Sequence, residues 1–186
     1  MMENNEYHVT DISIRRLTEQ DAEAVMEVIS EAAAVYRTAS GIQKDQLEAG
    51  NEGIQVIQNL ISSSPFWGAE MKGQIIGTIR LTFPRISEFL SSDICESIGI
   101  PIEKHVCYIS RFYVKPALHG LGIGQKLIYL AEREASQKGA GGIALHSAVL
   151  NQNMVQFYKK RGFQIVFSES SRGYARGTFF KFHKTQ

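Results

Sequence analysis

Cysteine is scarce in this chain: only Cys95 and Cys107 occur, and no His-x3-His segment accompanies them. That pattern does not suit a zinc site, and no metal is expected. Two isolated thiols do not staple a secreted fold either, so a reducing, cytoplasmic compartment is the simpler expectation. An excess of charge is lacking too. Lys and Arg number 20 against 19 Asp and Glu, for a net charge of +1. Such a balance gives no field to recruit nucleic acid or an anionic membrane. No apolar run approaches the ~20 residues that span a bilayer. The opening MMENNEYHVTD is polar and partly acidic, unlike a signal peptide, and residues 1–11 are expected to be loose. There is no internal repeat and no low-complexity linker. With 44% hydrophobic and 21% charged residues in 186, one domain over 1–186 is expected, its core at about 12–183.

What is present reads as alternating strands and helices. Ile12 to Arg16 alternates as a short strand. Thr18-x-x-Asp21 resembles a capping box, followed by a helical stripe of Ala22, Val25, Met26, Ile29, Ala33 and Tyr36. Residues 38–51 are polar, a loop or short helix. Ile54, Ile57, Leu60 and Ile61 mark a second helix. Phe66 to Met71 and Gln74 to Thr82 flank Lys72-Gly73, a hairpin signal, and Gly77 points to a bulge or a close backbone approach. Residues 84–104 form an excursion with one short helix around 86–94. A strand over Cys107 to Val114 follows, then a helix to about Lys138, a strand over Ile143 to Ala148, and a helix over Asn151 to Arg161. Strands over Phe163 to Phe167 and Tyr174 to His183 close the chain. The order predicts a mixed α/β domain.

The segment CYISRFYVKPALHGLGIGQKLIYL, residues 107–130, runs from strand through Pro116 and a glycine-rich turn into a helix. A glycine loop feeding a helix N-terminus gathers unpaired N–H groups, a site for phosphate. A Walker A loop counted from Gly120 needs glycine where Gln125 stands. A dinucleotide fingerprint fails at Gln125 or, from Gly122, at Leu127.

A third pattern fits. Phe112-Tyr113-Val114-Lys115-Pro116, then His119-Gly120-Leu121-Gly122-Ile123-Gly124, resembles the acyl-CoA motif of the GNAT superfamily of N-acyltransferases. Asn151, Tyr158 and Gly162-Phe163, within NQNMVQFYKKRGF, resemble its second motif. Ile14-Arg15 followed by Glu19-x-Asp21-Ala22 looks like the family's first strand and helix. The resemblance implies a mostly antiparallel central sheet flanked by helices, with a splayed pair of parallel strands. It implies acetyl-CoA as co-substrate, held by Phe112, Tyr113, Val114, His119, Gly120, Leu121, Gly122, Ile123, Gly124, Gln125, Asn151 and Tyr158. His119 stands where the family usually has Gln or Arg. The implied reaction moves an acetyl group to a primary amine, of a small molecule by preference, by direct attack in a ternary complex. A non-catalytic acyl-CoA-binding or sensing domain and a protein N-terminal or lysine acetyltransferase are the alternatives. A homodimer is compatible with the family.

Acyl transfer from a thioester needs a neutral amine, a polarised carbonyl and a proton for the thiolate. The N–H of Val114 is a candidate for the carbonyl. By resemblance Tyr158 is the general acid, although a buried Tyr can also simply pack. The base is open, because Tyr108-Ile109-Ser110-Arg111 carries no carboxylate. His105 is the first candidate; Glu103, Tyr108, or Ser110 with a water are others, and His146 a further one unless it is structural. Arg111 either holds an acceptor carboxylate or makes an internal ion pair. His8 and His183 are expected at the surface, and Cys107 as a buried thiol rather than a nucleophile.

Overall fold

The computed structural model describes residues 12–183; the stretch expected to be loose, and His8 within it, lie outside the described residues. Strand β1 (Ile12–Arg16) leads through a single 3-10 turn at Glu19–Asp21 into helix α1 (Ala22–Ser40). The turn is fixed by Asp21, whose carboxylate accepts the Thr18 N–H at 2.8 Å and its hydroxyl at 3.1 Å. Arg15 reaches the same carboxylate through two N–H groups, at 3.0 and 2.7 Å. Along α1 the residues Val25, Val28, Ile29, Ala32 and Ala33 are buried, an apolar stripe at helical spacing. The helix runs on to Ser40, past the start expected for the polar loop, because Gly41 ends it in the left-handed conformation. Between α1 and α2 (Ile54–Ser63), a 3-10 turn at Lys44–Gln46 is the one regular element among the described residues.

Strands β2 (Phe66–Met71) and β3 (Gln74–Thr82) form the expected hairpin. Ala69 pairs with Gly77 and Glu70 with Ile75, so one extra residue bulges beside Gly77. A Cβ on Gly77 would come within 3.1 Å of Ile123 and 3.2 Å of the Tyr113 carbonyl. Both consequences expected of that glycine are therefore present.

The excursion differs from expectation. In place of one helix over 86–94 there is a 3-10 turn at Ile86–Glu88 and then helix α3 (Ser92–Ser97). Phe89 leaves helical geometry and Ser91 takes the extended conformation of a helix N-cap, which moves the helix start past the apolar residues. Ile86, Leu90, Cys95 and Ile100 bury together against Ala144 and Phe180 of the sheet.

The remaining elements are β4 (Cys107–Val114), α4 (Ile123–Gln137), β5 (Gly142–Ala148), α5 (Gln152–Lys159), β6 (Gln164–Glu169) and β7 (Arg176–Phe182). The seven strands form one sheet in the order β1-β2-β3-β4-β5-β7-β6. All neighbours are antiparallel except β4 and β5. Helices α4 and α5 cover one face, packing Leu127, Ile128, Ala131, Val155 and Tyr158 on Ile79, Ile109 and Leu145. Helices α1 and α2 cover part of the other, around Phe66 and Ile75. The excursion covers the rest of that face. Burying one Leu- or Ile-sized side chain in such a layer stabilises the fold by about 1.5–3 kcal/mol.

Candidate active site

The site begins with a fault in pairing. β4 and β5 are matched only over Cys107–Ile109 and Ile143–Leu145. Beyond Leu145 the two strands part, leaving a gap bounded by residues 110–114 on one side and 146–148 on the other. The cause is a bulge in β4. Thr78 pairs with Tyr113 and Arg80 with Ser110, so Arg111 and Phe112 together face the single residue Ile79. Arg111 takes φ 48°, uncommon for a residue with a side chain. The buried Thr78 hydroxyl holds the displaced Arg111 carbonyl at 2.8 Å.

The bulge sets which backbone groups face the gap. The Lys115 N–H donates to the Ile76 carbonyl at 2.9 Å. Opposed residues in an antiparallel ladder alternate between bonded and non-bonded pairs, so Val114, opposite Gly77, turns its N–H away from β3 and toward β5. Its carbonyl accepts the His119 Nε2–H at 3.1 Å, which places that ring at the mouth of the gap.

The glycine loop lies directly beyond. Gly122, at φ 75°, starts α4, and a Cβ there would meet nothing within 4 Å. The backbone amides of residues 120–125 make no hydrogen bond among the described residues. Six successive unpaired donors at a helix N-terminus form a strong anion-binding arrangement. Gly124 has a different reason to be glycine than closeness to a phosphate. A Cβ at 124 would press on the rings of Phe157 at 3.2 Å and Phe112 at 3.4 Å.

Tyr158 stands on the α4–α5 face of the gap. Its ring lies in an aromatic group with Phe112, Phe157, Phe163 and Phe179, at centroid distances of 6.4, 5.4, 5.7 and 5.1 Å. Burial pushes its hydroxyl well above the ordinary phenol value, with Tyr36 and Tyr113 adding to the effect. Asn151 is not in the open gap. It is buried, its Oδ1 accepts the Met154 N–H at 3.2 Å as the N-cap of α5, and its amide donates to Ser40 Oγ at 3.1 Å. It therefore fixes the start of the helix that carries Tyr158.

On the opposite face the structure gathers residues that sequence patterns did not single out. Tyr36 of α1 accepts the Ala148 N–H at 2.7 Å and lies 3.2 Å from Ser147 Oγ, reaching the β5 side of the gap. Glu52, in the polar segment before α2, meets Arg111 with both oxygens, one of them accepting the Arg111 Nε–H at 2.9 Å. Arg111 thus makes an internal ion pair, the second of the two options open to it. An open cleft of about 690 Å³, lined in part by Glu27, Glu31, Lys44, Gly53 and Ile57, borders Glu52 from outside. Gln46 and Glu48 touch the β6–β7 loop, through the Gly173 carbonyl at 3.3 Å and Arg172 at 3.2 Å.

His105 lies away from this group. It is exposed ahead of β4, bridges to Arg85, and its carbonyl accepts the Gly141 N–H, all at the end where β4 and β5 are joined. His146 instead sits one residue past the last paired position, with Nδ1 2.6 Å from the Tyr108 hydroxyl. His183 is half-buried rather than at the surface, and its Nε2 has no partner among the described residues. Cys107 is fully buried, and burial pushes its thiol up to about 12, which disfavours the reactive thiolate. No cluster among the described residues could hold a metal ion.

Comparison with known proteins agrees with this geometry. Residues 30–163 match the model of the Acetyltransferase (GNAT) family. The chain belongs to that family. The uncharacterized N-acetyltransferase YjgM of Escherichia coli (strain K12) is 25% identical over 156 residues, covering 82% of each chain. The fold also recurs in solved structures. The PaiA N-acetyltransferase of Thermoplasma acidophilum, solved in complex with coenzyme A, superposes with a TM-score of 0.67 at 24% identity, covering 92% of this chain and 99% of its own. NAA60 of Arabidopsis thaliana, solved with a bisubstrate analogue, gives 0.68 at 18%, covering 92% and 97%. No helix of the described residues is long and apolar enough to cross a membrane.

Proposed function

We propose that this chain, a single GNAT domain over residues 1–186 with its core at about 12–183, transfers the acetyl group of acetyl-CoA to a primary amine of a small molecule, in the cytoplasm. The observation that carries the proposal is the run of unpaired amides at residues 120–125, opening directly onto the gap between β4 and β5. The pyrophosphate of the cofactor suits those amides, where the helix dipole adds ~0.3–1 kcal/mol for an exposed anion. The pantetheine arm then lies along Phe112 to Val114. The Val114 N–H, turned toward β5, is placed to polarise the thioester carbonyl. His119 and Gln125 flank the phosphates.

The reaction follows from which groups line the gap. A neutral amine attacks the carbonyl directly. Neither buried thiol is open to carry the acetyl group, since Cys95 and Cys107 are both fully covered. The leaving thiolate needs a proton, and Tyr158, kept protonated by burial, supplies it. Asn151 serves the cofactor site by anchoring α5. The preference for a small acceptor rests on the contacts of Gln46 and Glu48 with the β6–β7 loop, which narrow the approach from the α1–α2 side.

The test is thiol release from acetyl-CoA against a panel of small amines, peptides with free N-termini and lysine peptides. Turnover with small amines is the expected result; turnover confined to peptides overturns the acceptor class. Coenzyme A binding without thiol release for any amine identifies a sensing domain instead. Tyr158→Phe is expected to lower kcat while leaving acetyl-CoA affinity unchanged.

A further inference from the structure

The proposed reaction leaves one proton unplaced. A protonated amine must lose it before attack, and the strand that borders the gap has no carboxylate. We propose that Tyr108 and His146 form a relay that takes this proton, Tyr108 meeting the amine and His146 receiving the charge. The proposal rests on the acetyltransferase reading above.

Position is the first argument. Tyr108 pairs with Ala144, and side chains two apart on a strand share a face, so Ala144, His146 and Tyr108 point the same way. That face is the one away from Tyr158, which packs with α4 and α5. His146 is the first β5 residue past the last pairing with β4. The pair therefore sits at the vertex of the gap, with acid and base on opposite faces of the sheet. Phe89 holds both rings, its centroid 5.4 Å from Tyr108 and 6.0 Å from His146. Neither of the two side chains is fully buried.

Protonation is the second. Burial, helped by the charge of Arg176 and, more weakly, Arg172, holds His146 down to about 4, against an opposing pull from Glu169. The imidazole is neutral at pH 7. Burial also raises the Tyr108 hydroxyl, while Arg176, Arg111 and Arg172 pull it back. Each of these arginines has a carboxylate partner: Glu169 for Arg176, Glu52 for Arg111 and Glu48 for Arg172. When the phenol donates its proton to Nδ1, its oxygen keeps lone pairs for an incoming N–H. The basicity of His146 is low for an alkylammonium in water. The same desolvation disfavours the ammonium form of the bound acceptor, so the difference narrows on binding.

The step balances as follows. An ammonium N–H bond breaks and its proton joins Tyr108 Oη. The original Tyr108 proton moves to His146 Nδ1, so the positive charge passes from the amine to an imidazolium. The freed lone pair forms the C–N bond, the C–S bond breaks, and the thiolate takes the Tyr158 proton. The second proton shed by nitrogen replaces that one through solvent, and His146 returns its own to solvent.

Tyr108→Phe is the decisive variant, because it keeps the ring against Phe89; His146→Gln is the second. Each is assayed by thiol release from pH 6 to 10.5 with a simple alkylamine, alongside coenzyme A affinity and thermal melting. The expected result is a kcat/KM loss of about 100-fold at pH 7. The loss should shrink as pH approaches the amine's own value near ~10, where no base is needed. Coenzyme A affinity should stay unchanged. Wild-type rates, or a loss that is the same at every pH, overturn the relay while leaving the acetyltransferase intact. Absence of turnover by the wild-type chain with any amine overturns the acetyltransferase reading, and the relay falls with it.

Discussion

The Glu52 carboxylate closes on the Arg111 guanidinium across 59 residues of sequence, tying the bulge of β4 to the segment before α2. Both side chains are mostly covered, Glu52 at 11% and Arg111 at 19% exposure. Removing one charge leaves the other desolvated and unpaired. Glu52→Gln is therefore expected to lower stability by about 3 kcal/mol, measured by urea unfolding. Glu52 also lines the cleft on the α1–α2 side, so the same variant should raise the acceptor KM more than that for acetyl-CoA. Equal changes in both would place the acceptor elsewhere.

Tyr36 makes a narrower bond. Its hydroxyl accepts the Ala148 N–H, and no other partner for that amide stands on the β4 side, where the sheet has already opened. Tyr36→Phe keeps the ring and removes the acceptor, at an expected cost of about 1 kcal/mol. Amide exchange at Ala148 should quicken, while exchange at Leu145, within the paired region, should not. An unchanged rate at Ala148 would show that the strand edge does not depend on Tyr36.

These two contacts mark what could and could not be read ahead. The strands and most helices were legible because each declares itself over a few residues: alternation in Ile12–Arg16, the Lys72-Gly73 turn, the glycines around 122. The glycine loop was legible for the same reason, being continuous in sequence. The acceptor side was not. Tyr36 looked like one more apolar helix position, and its partners lie 111 and 112 residues away. Glu52 sat in a segment with no periodicity. Tyr108 and His146 read in the sequence only as separate candidates, since their distance depends on where β4 and β5 part. His105 looked apt by residue type alone, and the register of the strands sends it to the closed end.

Gly122 and Gly124 should fail differently. At 122 the backbone is left-handed and a methyl group meets nothing, so Gly122→Ala carries strain of about 1 kcal/mol in the loop whose amides the proposed function assigns to the cofactor. The expected outcome is weaker coenzyme A binding with a small drop in melting temperature. Gly124→Val instead pushes into Phe112 and Phe157 and should cost about 1–3 kcal/mol as an overpacked core. Calorimetry with coenzyme A, beside thermal melts of both variants, separates the two. A large melting loss for Gly122→Ala with intact binding would remove the loop from the cofactor site.

The Asp21 carboxylate gives a pH signature confined to acid. Hydrogen bonds from Arg15 are the largest influence, opposed by burial and reinforced by the Thr18 N–H and hydroxyl, and together they hold it at about 2. An unfolded aspartate titrates near ~3.9. Because the folded value is the lower one, the contribution is fully present above pH ~4 and is lost as pH falls toward 2. Asp21→Asn removes the charge that Arg15 and Thr18 hold, so it should lower stability by about 1 kcal/mol at pH 7. Between pH 4 and 2 the two proteins should converge, because the wild type loses there what the variant never had. Urea midpoints across pH 2 to 7 measure this difference. A constant gap down to pH 2 would mean that Asp21 acts through shape at the head of α1 and not through its charge.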